Sequence, residues 1–256
     1  MKKLQIGAQL FTVRDFMQTP EAVRETFRKI RETGFDTVQV SGIGPIQPEQ
    51  LRDYAQENQL HICLTHIPYE RLDQDLDRVI AEHKVYGCEI IGLGAMPSEF
   101  RGSQEGFEQF ILWAKRVTQK VREAGLDFSY HHHRFEFERF ANGRLGIDML
   151  IEEVPEMLLT LDTYWVQAGG ANPVDYIQKT AGRVHVLHLK DMRIVQDEQQ
   201  FAEIGEGNID FSAVFAAAEK CGTRIAVIEQ DQCYGRSPFD SLQHSLRYIQ
   251  HSYLNI

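Results

Sequence analysis

Long apolar runs are missing from this 256-residue chain: no charge-free stretch approaches the length of a membrane span, although 43% of the residues are hydrophobic. A soluble, globular protein is the expectation. The opening Met1-Lys2-Lys3-Leu4-Gln5-Ile6 runs straight into a strand pattern and lacks the apolar core of a signal peptide, so a cytoplasmic location is expected. Cysteine is sparse. Cys63, Cys88, Cys221 and Cys233 include no close-spaced pair, which excludes a Cys-based zinc module and favours reduced, structural thiols. Positive charge is also short, with 27 Lys and Arg against 37 Asp and Glu and a formal charge of −10, which argues against a nucleic-acid groove. No G-x-G-x-x-G fingerprint follows the first strand, which counts against dinucleotide binding. No Gly-rich phosphate loop, linker or low-complexity tract is evident, so the expectation is one domain over residues 1–256 with an unphosphorylated substrate.

What the chain does have is a regular alternation of short apolar runs and amphipathic stretches. Strands are expected at 5–11, 37–40, 61–66, 89–93, 128–133, 157–161, 183–189 and 224–228. Helices are expected between them, at 20–34, 49–58, 70–86, 104–124 and 145–154, in a short segment from Pro173, and at 211–221 and 238–253. Residues 12–15 and the long connection 190–210 read as loops, the latter as a lid or binding loop. Eight βα units in about 250 residues is the count of a (β/α)8 TIM barrel, which we expect in preference to an open doubly wound sheet.

The stretch Phe128-Ser129-Tyr130-His131-His132-His133-Arg134-Phe135-Glu136-Phe137 is the centre of the functional reading. Strand alternation puts Tyr130 and His132 on one face and His131 and His133 on the other. Three later strands end on Asp162, His188 and Glu229. A barrel brings all strand C-termini to one face, so the candidates there are Gln9, Gln39, His66, His131, His133, Asp162, His188 and Glu229, with Glu89 as a weaker one. This mixed nitrogen and oxygen set suits Mn²⁺, Zn²⁺, Co²⁺ or Fe²⁺ acting as a Lewis acid, with Glu229 and a second group moving protons. Phe11 and Trp165 could stack on a sugar ring. Each residue also has a plainer role: Asp162 as a helix cap, His188 in the core, Glu229 in solvent, Phe11 and Trp165 in packing. His83 and His244 to His251 fall on helices and are expected at the surface, while Glu136 and Glu138 lie just past the strand as supporting groups.

Across nearly its whole length the chain resembles the xylose isomerase-like TIM barrels, the sugar phosphate isomerase/epimerase group. The resemblance rests on Ile6 to Asp15, Tyr130 to Phe137, Leu161 to Val166, Val186-Leu187-His188-Leu189-Lys190-Asp191, Gly205 to Asp210 and Ile228-Glu229-Gln230-Asp231. It implies a divalent metal held by Glu, Asp, His and Glu, of which Asp162, His188 and Glu229 fill the last three places. In the first, this chain has His131, with His133 two residues on, and strand register decides between them. Gln39 likewise stands where many relatives have Glu. Since epimerases of the family use their two metal-binding Glu residues as paired bases, His133 would replace one. Alternatively, a His and Lys190 would support β-elimination from a keto-sugar or keto-inositol.

The resemblance thus implies a metal-dependent sugar isomerase or epimerase with catalytic Glu229, His133 and Lys190. Gln9, Phe11, Gln39, His66 and Trp165 would contact the substrate, and a homodimer is possible. A lyase of the inosose dehydratase kind is the runner-up. An endonuclease IV-like phosphodiesterase and a non-catalytic sugar-binding barrel are further alternatives.

Overall fold

A computed structural model describes residues 3–254. Eight parallel strands run in the order β6-β5-β4-β3-β2-β1-β10-β7. They are β1 (Gln5–Gln9), β2 (Thr37–Val40), β3 (His61–His66), β4 (Ile90–Leu93), β5 (Asp127–His131), β6 (Leu158–Thr160), β7 (Val186–Leu189) and β10 (Ile225–Ile228). The seam between β6 and β7 closes by a parallel bridge pairing Asp162 with His188 and by backbone N–H donation from His188 to Leu161 at 2.8 Å. The sheet is therefore the expected (β/α)8 TIM barrel, closed most thinly where two candidate ligands meet. The strands are buried on both faces, as parallel strands under a layer of helices must be. Cys63, Leu64, Val186 and Val227 plug the interior. The main core lies between strands and helices, where Phe27, Phe107, Phe110, Phe128 and Tyr130 are fully buried.

The outer helices are α1 (Pro20–Thr33), α2 (Pro48–Glu57), α3 (Tyr69–Gln74), α4 (Leu76–Tyr86), α5 (Gln104–Glu123), α6 (Gly146–Glu153), α7 (Thr163–Ala168), α8 (Pro173–Lys179), α9 (Phe211–Lys220) and α10 (Pro238–Ile249). Their ends carry the expected chemistry. The Thr19 side chain accepts from the Ala22 N–H at 3.2 Å, Pro20 occupies the first turn, and Gly34 ends α1 in the left-handed region at φ 112°. Ser103 and Asp210 cap α5 and α9 in the same way.

Four local expectations are corrected. The helix expected over 70–86 breaks at Asp75, whose φ of −137° leaves the helical region and separates α3 from α4. Residues 12–15 belong to a 3-10 turn spanning Leu10–Phe16. The connection 190–210 holds an antiparallel hairpin, β8 (Asp191–Val195) and β9 (Glu198–Ala202), turning at Gln196 and Asp197 with φ of 51° and 69°. Finally, Glu89 precedes β4, so it lies exposed at the opposite end of the barrel from the candidate site. Among the described residues, no helix is long and apolar enough to cross a membrane.

Candidate metal centre

The last residue of β5, the second residue after β6, the third of β7 and the residue after β10 converge. One ligand atom each from His131, Asp162, His188 and Glu229 lies within 4.8 Å of the others, and all four residues are buried. Register selects His131 over His133 for this set, since strand pairing continues through His131 opposite Thr160. Asp162 takes the plainer role expected of it, a helix cap, and also faces the group. Its Oδ1 accepts from the Trp165 N–H at 3.0 Å as the cap of α7, while Oδ2 faces His131 at 3.5 Å and His188 at 3.8 Å.

The hydrogen bonds behind the two imidazoles test whether the group suits a cation. The His131 Nδ1–H donates to the Gly94 carbonyl at 2.8 Å, and the His188 Nε2–H donates to Gln39 Oε1 at 2.7 Å. The inner nitrogens face the carboxylates, His131 Nε2 at 3.5 Å from Asp162 Oδ2 and His188 Nδ1 at 2.8 Å from Glu229 Oε2. Metal-binding histidines are oriented by outer acceptors in this way. Two imidazoles and two carboxylates fit a borderline divalent ion such as Zn²⁺ or Mn²⁺, whose binding would displace the protons on those inner nitrogens. The relay continues outward: the Gln39 amide donates to His66 Nε2 at 2.7 Å, and Ser41 Oγ lies 3.4 Å from His66 Nδ1. Gln39 therefore has both amide atoms engaged in orienting histidines. A side chain at Gly94 would stand 2.8 Å from the His66 ring, so the close packing requires glycine there.

Lys190 brings a positive charge into this group. Its fully buried ammonium lies 3.1 Å from Asp162 Oδ2, 3.0 Å from Glu229 Oε2 and 3.0 Å from Asp231 Oδ2. Burial alone would discharge it, but the three carboxylates outweigh burial and hold its pKa above the ordinary lysine value. Burial likewise opposes ionisation of Asp162 and Glu229, and Lys190, His131 and His188 reverse that, leaving both below the usual carboxylate range. His133 lies beyond the strand, with its ring 4.9 Å from that of His131 and 5.0 Å from that of Trp165. Burial, reinforced by His131 and Lys190, pushes its pKa down to about 2, so it is a neutral imidazole. Its Nδ1 and the Trp165 Nε1 are buried polar atoms with no partner, as is the Gln9 Nε2. Buried polar atoms are nearly always satisfied, and orphans beside a cleft point to a ligand.

The cleft above the centre measures about 320 Å³ and is walled by Phe11, His66, His131, His133, Lys190 and Glu229 among others. Trp165 and Gln9 lie outside that wall. The hairpin packs beside the centre: the Phe201 ring lies 5.5 Å from Lys190 Nζ, 4.5 Å from the Tyr164 ring and 5.9 Å from the Trp165 ring. The hairpin is moored by Asp191, which accepts from the backbone N–H groups of Met192, Gly205, Gly207 and Ile209 at 2.7–3.2 Å.

Three supporting residues escape a strand-end reading. His132 Nε2 accepts the Asp162 backbone N–H at 3.1 Å, fixing the strand end that carries the ligand. Glu136 accepts from the Tyr130 hydroxyl and, at 2.9 Å, from the His133 N–H; burial raises its pKa to about 7. Asp231 is the third partner of Lys190, and a buried ammonium demands such partners. His83 requires a correction. It is fully buried, with Thr65 Oγ1 at 2.7 Å and the Val79 carbonyl at 2.7 Å, whereas His244 and His251 are exposed as expected.

A buried His/Asp/His/Glu group at the C-terminal mouth of a (β/α)8 barrel defines a candidate divalent-metal centre, reached through a cleft of single-ring size. The family model for the xylose isomerase-like TIM barrel matches residues 27–251, and the chain belongs to that family. An inosose dehydratase of Lacticaseibacillus casei is 21% identical over 84% of this chain and 85% of its own. A sugar phosphate isomerase/epimerase from Parabacteroides distasonis superposes with a TM-score of 0.81 at 18% identity, covering 99% of this chain and 96% of that one. The IOLI protein, solved with a zinc atom, superposes with a TM-score of 0.72 at 12% identity over 97% of each chain.

Proposed function

We propose that the protein is a divalent-metal-dependent lyase that removes water, or an equivalent leaving group, from a keto-sugar or keto-polyol. His131, Asp162, His188 and Glu229 would hold the ion, which supplies Lewis-acid polarisation of a substrate oxygen and acidifies the adjacent C–H bond. The observation that carries the reading is the unlike pair beside that group: a neutral His133 with an unpartnered Nδ1 and a charged Lys190 held among carboxylates. Epimerisation through two carboxylates needs alike groups that exchange roles. Elimination needs unlike groups. His133 Nδ1, its basicity raised by the negative charge gathering on the substrate oxygen, would take the proton α to the carbonyl, and the C–H electrons form a C=C bond as the C–O bond at the next carbon breaks. Lys190 gives a proton to the departing oxygen, so water leaves and the product is an enone. Phe11, in the cleft wall, would cover the ring. The likeness to inosose dehydratases agrees with this chemistry.

A second reading, isomerase or epimerase, keeps one observation in its favour. His133 and Glu229 follow β5 and β10, the two ends of the arc of strands that builds the centre, so they could serve opposite faces of a substrate. Incubation with a keto-inositol and 3-keto-sugars in D₂O separates the two. A UV-absorbing enone is the expected product, and His133→Ala should slow it by about 100-fold or more, the usual worth of a positioned base. A deuterated epimer without enone would establish the second reading; neither enone nor deuterium incorporation from any substrate would contradict both.

A further inference from the structure

A larger cavity adjoins the catalytic cleft. It measures about 630 Å³, roughly twice the cleft, and opens at the ends of β2 and β3 between the loop 41–48 and the outer faces of α2 and α4. The two cavities share Ser41, His66, Ile67 and Pro68, so a molecule seated in one abuts the other. The cleft has room for one six-membered ring, yet the combined space is that of a drug-sized ligand. The second cavity is carbon-walled: Ile43, Pro45, Ile46, Leu51, Ile67 and Tyr86 face it. Its charged groups sit together at one side, where Arg71 and Arg78 both turn to Glu82 at 2.8 and 3.1 Å. The wall is also preformed. The Gly44 N–H donates to the Met17 carbonyl at 2.8 Å, the Gln18 side-chain amide donates to the Gly42 carbonyl at 3.0 Å, and a Cβ at Gly44 would meet the Gln18 carbonyl oxygen at 2.2 Å.

We infer that the substrate is a sugar ring bearing an apolar, ring-sized substituent, with the sugar in the cleft and the substituent in this second cavity. The inference rests on the reading of the cleft as a sugar site. The carbon side of this wall gives little to a second, fully hydroxylated sugar, whereas a phenyl group removes its carbon surface from water there. Substrate choice would then be set by the loop 41–48, remote from the proton-moving groups.

Calorimetric titration of the zinc-loaded protein with phenyl and methyl glucosides tests this. The phenyl glucoside should bind at least about tenfold more tightly, as burial of one apolar ring allows. Ile46→Asp, at a half-buried wall position, should erase the difference while leaving methyl glucoside affinity unchanged, and Ile46→Trp, which fills the cavity, should act in the same direction. Equal binding of the two glucosides by wild type, or a preference that survives both variants, would overturn the inference and leave the sugar site intact. Binding of neither glucoside would overturn the inference, while the enone assay decides separately whether the cleft takes a keto-sugar.

Discussion

Lys190 is the residue on which the chemistry of the centre turns. Its ammonium shares Asp162 Oδ2 and Glu229 Oε2 with any ion held by the four ligands. It therefore competes for those oxygens, and Asp231 is the carboxylate it keeps outside the set. Lys190→Met should raise Zn²⁺ affinity by about tenfold or more, because removing one nearby positive charge is worth at least ~1.4 kcal/mol in a buried site. The same variant should lose elimination activity. Calorimetric titration with Zn²⁺ checks the first half, and unchanged or weaker affinity would contradict it. At this scale the four-residue group was legible because each member lies at or just past a strand end, and chain chemistry alone names such ends. His132 and Asp231 were less so. The alternation argument sets His132 off the face that carries His131, where it acts by accepting a backbone N–H, and Asp231 lies three residues past its strand. The clue to Asp231 was the lysine itself, which cannot be buried charged without a partner.

At the scale of elements, α4 is bound to β3 by a buried imidazole. His83 is held by Thr65 from the strand and by the Tyr86 hydroxyl at 2.9 Å, and burial lowers its pKa to about 4 from 6.5. Between those values the folded state binds fewer protons than the unfolded chain. Stability is therefore full above pH 6.5 and is lost as pH falls toward 4, by about 3 kcal/mol from this residue. Denaturant titrations at pH 7 and pH 4.5 should show His83→Gln losing less stability on acidification than the wild type. His132, lowered to about 4 mainly by burial, keeps some of the slope in the variant. An equal loss in both proteins would contradict the assignment. The sequence reads His83 as exposed because a helix pattern cannot distinguish a polar residue facing solvent from one facing a threonine on the sheet. The hairpin of β8 and β9 was hidden for a related reason. Its turn uses Gln196 and Asp197 where Asn-Gly or Asp-Gly would announce a two-residue turn, and its strands, largely uncovered, lack an apolar alternation. The break at Asp75 shows as a backbone angle without Gly or Pro to mark it.

For the whole molecule, strand count and spacing were enough to indicate the barrel, since eight βα units in this length leave few other arrangements. What sequence could not supply is closure. The seam between β6 and β7 rests on short pairing around Asp162 and His188, and an ion shared by those two would tie the seam at the point where the barrel is thinnest. The central claim is that this four-residue group binds a divalent metal that enables proton removal from carbon. The most direct measurement is metal content, taken together with solvent deuterium exchange into a keto-inositol, before and after chelation and in Asp162→Asn. We expect one metal ion per chain, exchange that stops on chelation and returns with added metal, and loss of both properties in the variant. Exchange that continues at the same rate in metal-free protein, or a purified protein that takes up no divalent ion, would contradict the account.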